Sequence, residues 1–378
     1  MGEKTKDIQR IALLLLCIIT ITAHAQEASS VSLNIGDSAP PLRVRGWLKG
    51  TPVGRFEKGR VYVVEFWATW CRPCIAGMPH LSALANEYKD RVTFLSIDVY
   101  ENKTTSPAKI RAFVDSMGKR MDYAVAAEEG NFMATGWLDA SGDKGIPKAF
   151  VVNAEGRIAW IGHPTRLDEV LQKIASNGWD VKEALARRNL NKHLAGLDDS
   201  AWYDLIRYRG DPEKLDKYGK QDSALLLIDE IVRKEPRLKY APRIAFYTFS
   251  SLLQTNLQKA YDYGKTLLVT PTHEDPAYDV VINEIQLYSY KLTLPAKIYE
   301  LCAEAYQVKI DLYPENPDIP AIYHRMAEWY WRACDRAKAV DAEQKAIETM
   351  KSKTDKDRDY SATDLAIFES RLGQYQRM

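Results

Sequence analysis

A nearly unbroken apolar run, Val61-Tyr62-Val63-Val64-Glu65-Phe66, leads through Trp67-Ala68-Thr69-Trp70 into Cys71-Arg72-Pro73-Cys74. β-Branched and aromatic residues at this density suit a central strand. The two cysteines stand one helical turn apart, close enough for their sulfurs to close a small disulfide ring. Arg72-Pro73 suits the first turn of that helix, where a proline forfeits no hydrogen bond. The helix N-terminus and Arg72 both bring positive potential to Cys71, which favours thiolate over thiol. The stretch predicts a strand–turn–helix junction carrying a dithiol.

The flanking sequence supplies partners for that junction. The helix from Cys71 runs to about Tyr88 with Pro79 in its interior, where proline removes a backbone bond and bends the helix. Val92 to Val99 reads as a second core strand, Pro107 to Met117 as a helix closed by Gly118, and Tyr123 to Ala126 as a short strand. Trp47 to Val53 reads as a hairpin closed near Gly50. A helical segment near Asn131 to Leu138 precedes a glycine-rich turn and Gly145-Ile146-Pro147-Lys148. Ala149 to Val152 and Arg157 to Ile161 form a hairpin around Asn153-Ala154-Glu155-Gly156, and Leu167 to Ala175 is a helix. Alternating strands and helices followed by a hairpin and helix indicate an α/β sandwich.

The 378 residues exceed one average domain, so two are expected. A net charge of +1 with 27% charged residues implies no polyelectrolyte partner, which argues against nucleic acid and anionic membrane. Cysteines stand at 17, 71, 74, 302 and 334, and only Cys71 and Cys74 have motif spacing. That excludes a disulfide-stapled scaffold, and with no second Cys or His pair at ligand spacing it disfavours zinc. Cu(I) held by the two thiolates stays open as a reading of a different class.

Residues 1–25 read as a signal peptide. Lys4, Lys6 and Arg10 form a basic start, Ile11 to Ile21 an apolar core, and Ala23-His24-Ala25 a small-x-small cleavage site. The apolar run is short of the roughly 20 residues that span a bilayer. Cleavage after Ala25 would remove Cys17 and leave an exported, periplasmic chain whose dithiol works where disulfides form. A lipid anchor on Cys17 fits less well, because bulky Leu16 precedes it.

From residue 179 to 378 strand-type runs nearly vanish and helix-forming segments fill the chain. Tyr323-x-x-Met326-Ala327-x-x-Tyr330, followed by Ala339 and Ala346, has the small and aromatic spacing of a tetratricopeptide-like helical hairpin. Helices ending at Glu235-Pro236, Thr270-Pro271 and Tyr313-Pro314 suggest earlier, degenerate units. An irregular helical bundle is the alternative. Cys302 and Cys334 fall in predicted helices, where buried free thiols are the default and a mutual disulfide the exception.

The Phe66-Trp67-Ala68-Thr69-Trp70-Cys71-Arg72-Pro73-Cys74 segment, the later Gly145-Ile146-Pro147 and the closing hairpin resemble the thioredoxin superfamily, and within it the exported TlpA/ResA-like thiol–disulfide oxidoreductases. The resemblance covers roughly residues 33–177. It implies a thioredoxin-like domain over 26–178, ahead of the all-α domain over 179–378. It implies Cys71 as attacking and Cys74 as resolving thiol, with the redox-active disulfide as the only redox centre and neither cofactor nor metal. It nominates Glu65 as the buried acid that relays the proton of Cys74, and burial without a cation should raise its pKa. Phe94 stands where relatives often place a lysine beside that acid. Pro147 is expected to be cis and to face the dithiol, with the Ile146 backbone pairing with substrate by β-addition. Trp70 and Arg72 would border the substrate.

Two positions depart from the pattern. Gly77 stands where many relatives carry a glutamate. Lys148 replaces the usual threonine, and either acts on the site, by lowering the thiolate pKa or by favouring acidic substrates, or points to solvent. His80 and His163 are expected to be structural. The implied partners are a protein or peptide disulfide, an unidentified electron donor and a protein bound by the helical domain. Reduction of substrate is the favoured direction, with oxidase or isomerase action by the same residues as the alternative.

Overall fold

The computed structural model describes residues 32–143, 145–208, 220–272, 275–314, 316–352 and 361–377. The expected signal peptide and Cys17 lie outside the described residues. Strands β1 (Val44–Lys49), β2 (Val61–Trp67), β3 (Val92–Asp98), β4 (Ala124–Glu128), β5 (Lys148–Val152) and β6 (Ile158–Gly162) form one sheet in the order β1-β4-β3-β2-β5-β6. β2 is central, parallel to β3 and antiparallel to β5.

Both faces of β2 are covered, which explains its continuous apolar run. Tyr62, Val64 and Phe66 enter one core with Leu95, Ile97, Trp137 and Phe150. Val63 and Trp67 enter the other with Met78, Leu81 and Leu84 of helix α1 (Arg72–Glu87). The period-2 alternation of a strand puts Glu65 on this second face, beneath the cysteine helix. Helix α2 (Pro107–Met117) flanks the same face, with Phe113 stacked on Trp67 at 5.5 Å between ring centres. Helix α3 (Leu167–Ala175) buries Leu167, Val170 and Leu171 there.

The hairpin expected near Gly50 does not form. β1 instead pairs antiparallel with β4, and residues 51–60 run outside the sheet. Gly50 has φ +74°, and a Cβ there would stand 2.8 Å from the Ala124 Cα, so close approach of β4 explains this glycine.

Helix α4 (Val181–Leu205) opens the second half, capped by Asp180 Oδ1, which accepts from the Lys182 and Glu183 amides. Its first turns stay on the sheet domain. Ala184 packs among the sheet core, and Arg188 hydrogen-bonds Asp143 and the Ser141 carbonyl. Further helices follow: α5 (Gln221–Lys234), α6 (Pro242–Thr255), α7 (Leu257–Val269), α8 (Tyr278–Ser289), α9 (Ala296–Leu312), α10 (Ile319–Arg332), α11 (Arg336–Ser352) and α12 (Ala362–Arg377). Three of them stop directly before Glu235-Pro236, Thr270-Pro271 and Tyr313-Pro314, as expected. Ala327 and Ala339 are fully buried where α10 and α11 meet, and small side chains permit that approach. None of the described helices is long and apolar enough to cross a membrane.

Cys302 is a buried free thiol within α9, and Cys334 is free and exposed. Cys334 is not in a helix. It occupies the turn between α10 and α11 at φ +61°, and not the helical position expected of it.

Candidate active site

Cys71 is the N-cap of α1 and Pro73 lies in its first turn. Cys71 and Cys74 are joined by a disulfide, and the Cys74 amide donates to Cys71 Sγ at 3.3 Å. An unpaired amide of the first helical turn thus points at the sulfur that would carry charge in the reduced state. Cys71 and Cys74 are both 3% exposed, so burial does not separate them.

Their surroundings do. Cys74 lines a cavity of about 510 Å³ together with Glu65, Gly77, His80, Pro147 and His163. Gly77 contributes open space, since a Cβ there would meet nothing within 4 Å. Glu65 is 3% exposed, and Ser96 Oγ donates to its Oε2 at 2.5 Å. Burial drives its pKa from 4.5 up to about 8, and the Ser96 hydrogen bond opposes the rise only in part. Phe94 belongs to the apolar cluster on this face and supplies no charge.

The Ile146–Pro147 bond is cis. Both residues line a second, larger cleft of about 730 Å³, beside Arg72, Pro73 and Lys148. Trp70 is 49% exposed, and its Nε1 donates to the Tyr100 carbonyl at 3.0 Å. The backbone amide of Thr69 donates to Glu101 Oε1 at 2.6 Å, which holds the turn ahead of Cys71. Asp98, at the end of β3, is buried and its pKa is pushed up to about 8 by desolvation and by Glu101.

The cations expected to act on the dithiol are engaged elsewhere. Arg72 Nη1 pairs with Asp318 Oδ1, the N-cap residue of α10, at 2.5 Å. Lys148 Nζ is 3.4 Å from Asp143 Oδ1, and Arg188 pairs with the same carboxyl group. Burial would raise the Asp143 pKa, but Lys148 and Arg188 hold it below the usual range. Of the two open readings of Lys148, a side chain only 18% exposed rules against simple solvation. His80 pairs with Asp168 at 2.8 Å and His163 Nδ1 with Thr165 Oγ1 at 2.8 Å, both at the rim of the smaller cavity.

Sequence reasoning missed Ser96, Asp318 and the helical-domain residues of the larger cleft. Ser96 could have been found from register, since it faces Glu65 across the β2–β3 pair. Asp318 carried no such signal, standing 246 residues from Arg72. Among the described residues, no group of three or more His, Cys, Asp or Glu side chains is placed to hold a metal ion.

A thioredoxin-fold dithiol at a helix N-terminus defines a class of redox enzymes, and comparison with known proteins agrees. The thioredoxin family model matches residues 56–115. Protein FixW of Rhizobium leguminosarum is 34% identical over 152 residues, which is 39% of this chain and 69% of the relative. Thiol:disulfide interchange protein HelX of Rhodobacter capsulatus is 30% identical over 142 residues, 37% of this chain and 74% of HelX. Thiol-disulfide oxidoreductase ResA of Bacillus anthracis is 28% identical over 153 residues, 39% and 82% of the two chains. The chain belongs to the thioredoxin family and is a thiol–disulfide oxidoreductase.

Proposed function

We propose that the protein is an exported reductase of protein or peptide disulfides. The observation that carries this reading is the Cys71–Cys74 disulfide at a helix N-terminus, with buried Glu65 bordering the same cavity as Cys74. In the reduced enzyme the Cys71 thiolate attacks one sulfur of a substrate disulfide. An S–S bond forms between Cys71 and substrate as the substrate's own bond breaks, and the second substrate sulfur leaves as a thiolate that takes a proton from solvent. Ionised Glu65 accepts the Cys74 proton. The Cys74 thiolate then attacks Cys71 Sγ, re-forms the intramolecular disulfide and expels the remaining substrate thiolate. Two electrons pass to substrate, and an external dithiol donor restores the enzyme.

The direction is supported by charge. Arg72 is engaged by Asp318 and Lys148 by Asp143, so the thiolate of the reduced form receives less stabilisation than the sequence implies. Strong oxidants in this chemistry are those whose reduced form is stabilised, and weaker stabilisation favours the reducing direction. Export is supported by the basic start, apolar core and Ala23-His24-Ala25 of the N-terminal sequence. The helical half would bind a protein partner or present the substrate.

Insulin reduction in the presence of a dithiol donor tests the reading. Activity should vanish in Cys71→Ser, and Cys74→Ser should accumulate substrate linked to Cys71. Unchanged activity in Cys71→Ser would defeat it.

A further inference from the structure

The larger cleft beside the dithiol has two walls of different origin. Arg72, Pro73, Ile146 and Pro147 form the wall from the sheet domain, and Tyr278, Tyr306, Lys309, Tyr313, Ile322 and Arg325 belong to α8, α9, α10 and the segment between the last two. We propose that the helical half is the specificity wall of this cleft and selects extended polypeptide segments with acidic side chains beside the reacting cysteines. This rests on the exchange chemistry above and names the substrate class for it.

Size is the first argument. At about 730 Å³ the cleft falls in the range of sites that enclose a small ligand or a short peptide segment. A folded domain cannot enter, whereas an extended segment can lie along the Ile146–Pro147 backbone between the walls. The helical wall therefore restricts the dithiol to disulfides held in unfolded, flexible or loop segments.

Charge is the second argument. Among the described lining residues, four cations (Arg72, Lys148, Lys309 and Arg325) stand against two carboxylates, Asp279 and Asp318. Two of the cations are committed at the sheet-domain side, Arg72 to Asp318 and Lys148 to Asp143. On the helical wall the pairing is looser. Lys309 Nζ is 3.6 Å from Asp279, a side chain 61% exposed, and lies over the Tyr278 ring at 5.6 Å. Arg325 is exposed and lines the cleft beside Tyr306, whose hydroxyl carries no full charge. A substrate carboxylate gains both cations, and a substrate lysine meets repulsion from them. Apolar walls such as Ile322 and the tyrosine rings concentrate that field within the cleft.

The test uses the pre-reduced full chain in single turnover, with two looped peptide disulfides that differ only in Glu or Gln beside each cysteine. Wild type should reduce the Glu peptide about tenfold faster, the size expected for two partly exposed charge contacts. High salt should shrink the difference. In the Lys309→Gln/Arg325→Gln double variant the Glu peptide should lose its advantage, so that the ratio of the two peptides' rates falls to about one. Lys309→Arg should keep the preference. Equal rates in wild type, a preference that survives the double substitution, or a parallel loss on both peptides would each overturn the proposal. Failure of the underlying chemistry is distinguishable, because it would show as undiminished reduction of both peptides by Cys71→Ser.

Discussion

Replacing Glu65 by glutamine separates the stability cost of this residue from its chemistry. The carboxyl group is fully buried, with Ser96 the one hydrogen bond that opposes the effect of burial on its pKa, which rises from 4.5 to about 8. The unfolded chain releases that proton near 4.5 and the native protein holds it until about 8. A raised acid thus costs nothing below the lower value, and stability falls as pH rises through the window. At about 1.4 kcal/mol per pH unit the loss is about 3 kcal/mol at pH 7 and about 5 kcal/mol once pH exceeds 8. Glutamine does not titrate. The unfolding free energy of Glu65→Gln relative to wild type should therefore rise by about 3 kcal/mol between pH 4.5 and 7, as read by urea titration. Its catalytic effect is read with a symmetric aromatic disulfide that releases one chromophore on attack by Cys71 and a second on resolution by Cys74. The first phase should change by no more than about twofold and the second should slow by about a hundredfold, the lower bound for a lost general base. Wild-type resolution should also accelerate as pH approaches 8, and the variant should lack that rise. A stability difference that does not vary with pH would refute the buried-acid argument, and equal slowing of both phases would refute the relay.

Two further substitutions probe the rest of the molecule. Asp318→Asn removes the carboxylate that pairs with Arg72 beside the dithiol, so the Cys71 thiol should titrate lower. The couple should become less reducing by no more than about 20 mV, since the pair is partly exposed and screened; no shift in either would show that Arg72 does not act on the sulfur. Gly264→Ala places a Cβ 2.5 Å from Leu301 Cδ2 and 2.9 Å from Phe249 Cε2, both fully buried, and should lower the urea midpoint by the equivalent of about 1–3 kcal/mol without altering exchange by the dithiol.

The sheet domain was legible because its signals are local. A double-faced apolar run marked β2, Cys71 and Pro73 marked a helix start, and the pattern 149–162 marked a hairpin. The site was legible to the same depth. Glu65 is conspicuous as an acid inside an apolar strand, and alternation alone puts it under the cysteine helix. What failed was long-range or depended on a partner. Trp47 to Val53 looked like a hairpin because Gly50 resembles a turn, yet the glycine answers to close packing by Ala124. Arg72 looked like a donor of positive potential to Cys71, and nothing near it in sequence announces that Asp318 has taken the charge. The cleft wall of α8 to α10 was invisible for the same reason, since helix periodicity reports which face is buried and not which active site that face overlooks.

The reduction potential of the Cys71–Cys74 couple, measured by equilibration with glutathione, bears most directly on the claim that this is a reductase. With both nearby cations engaged by carboxylates, the value should lie below about −200 mV, toward the about −270 mV of reducing thioredoxins. A value near the about −120 mV of strong oxidases would contradict it.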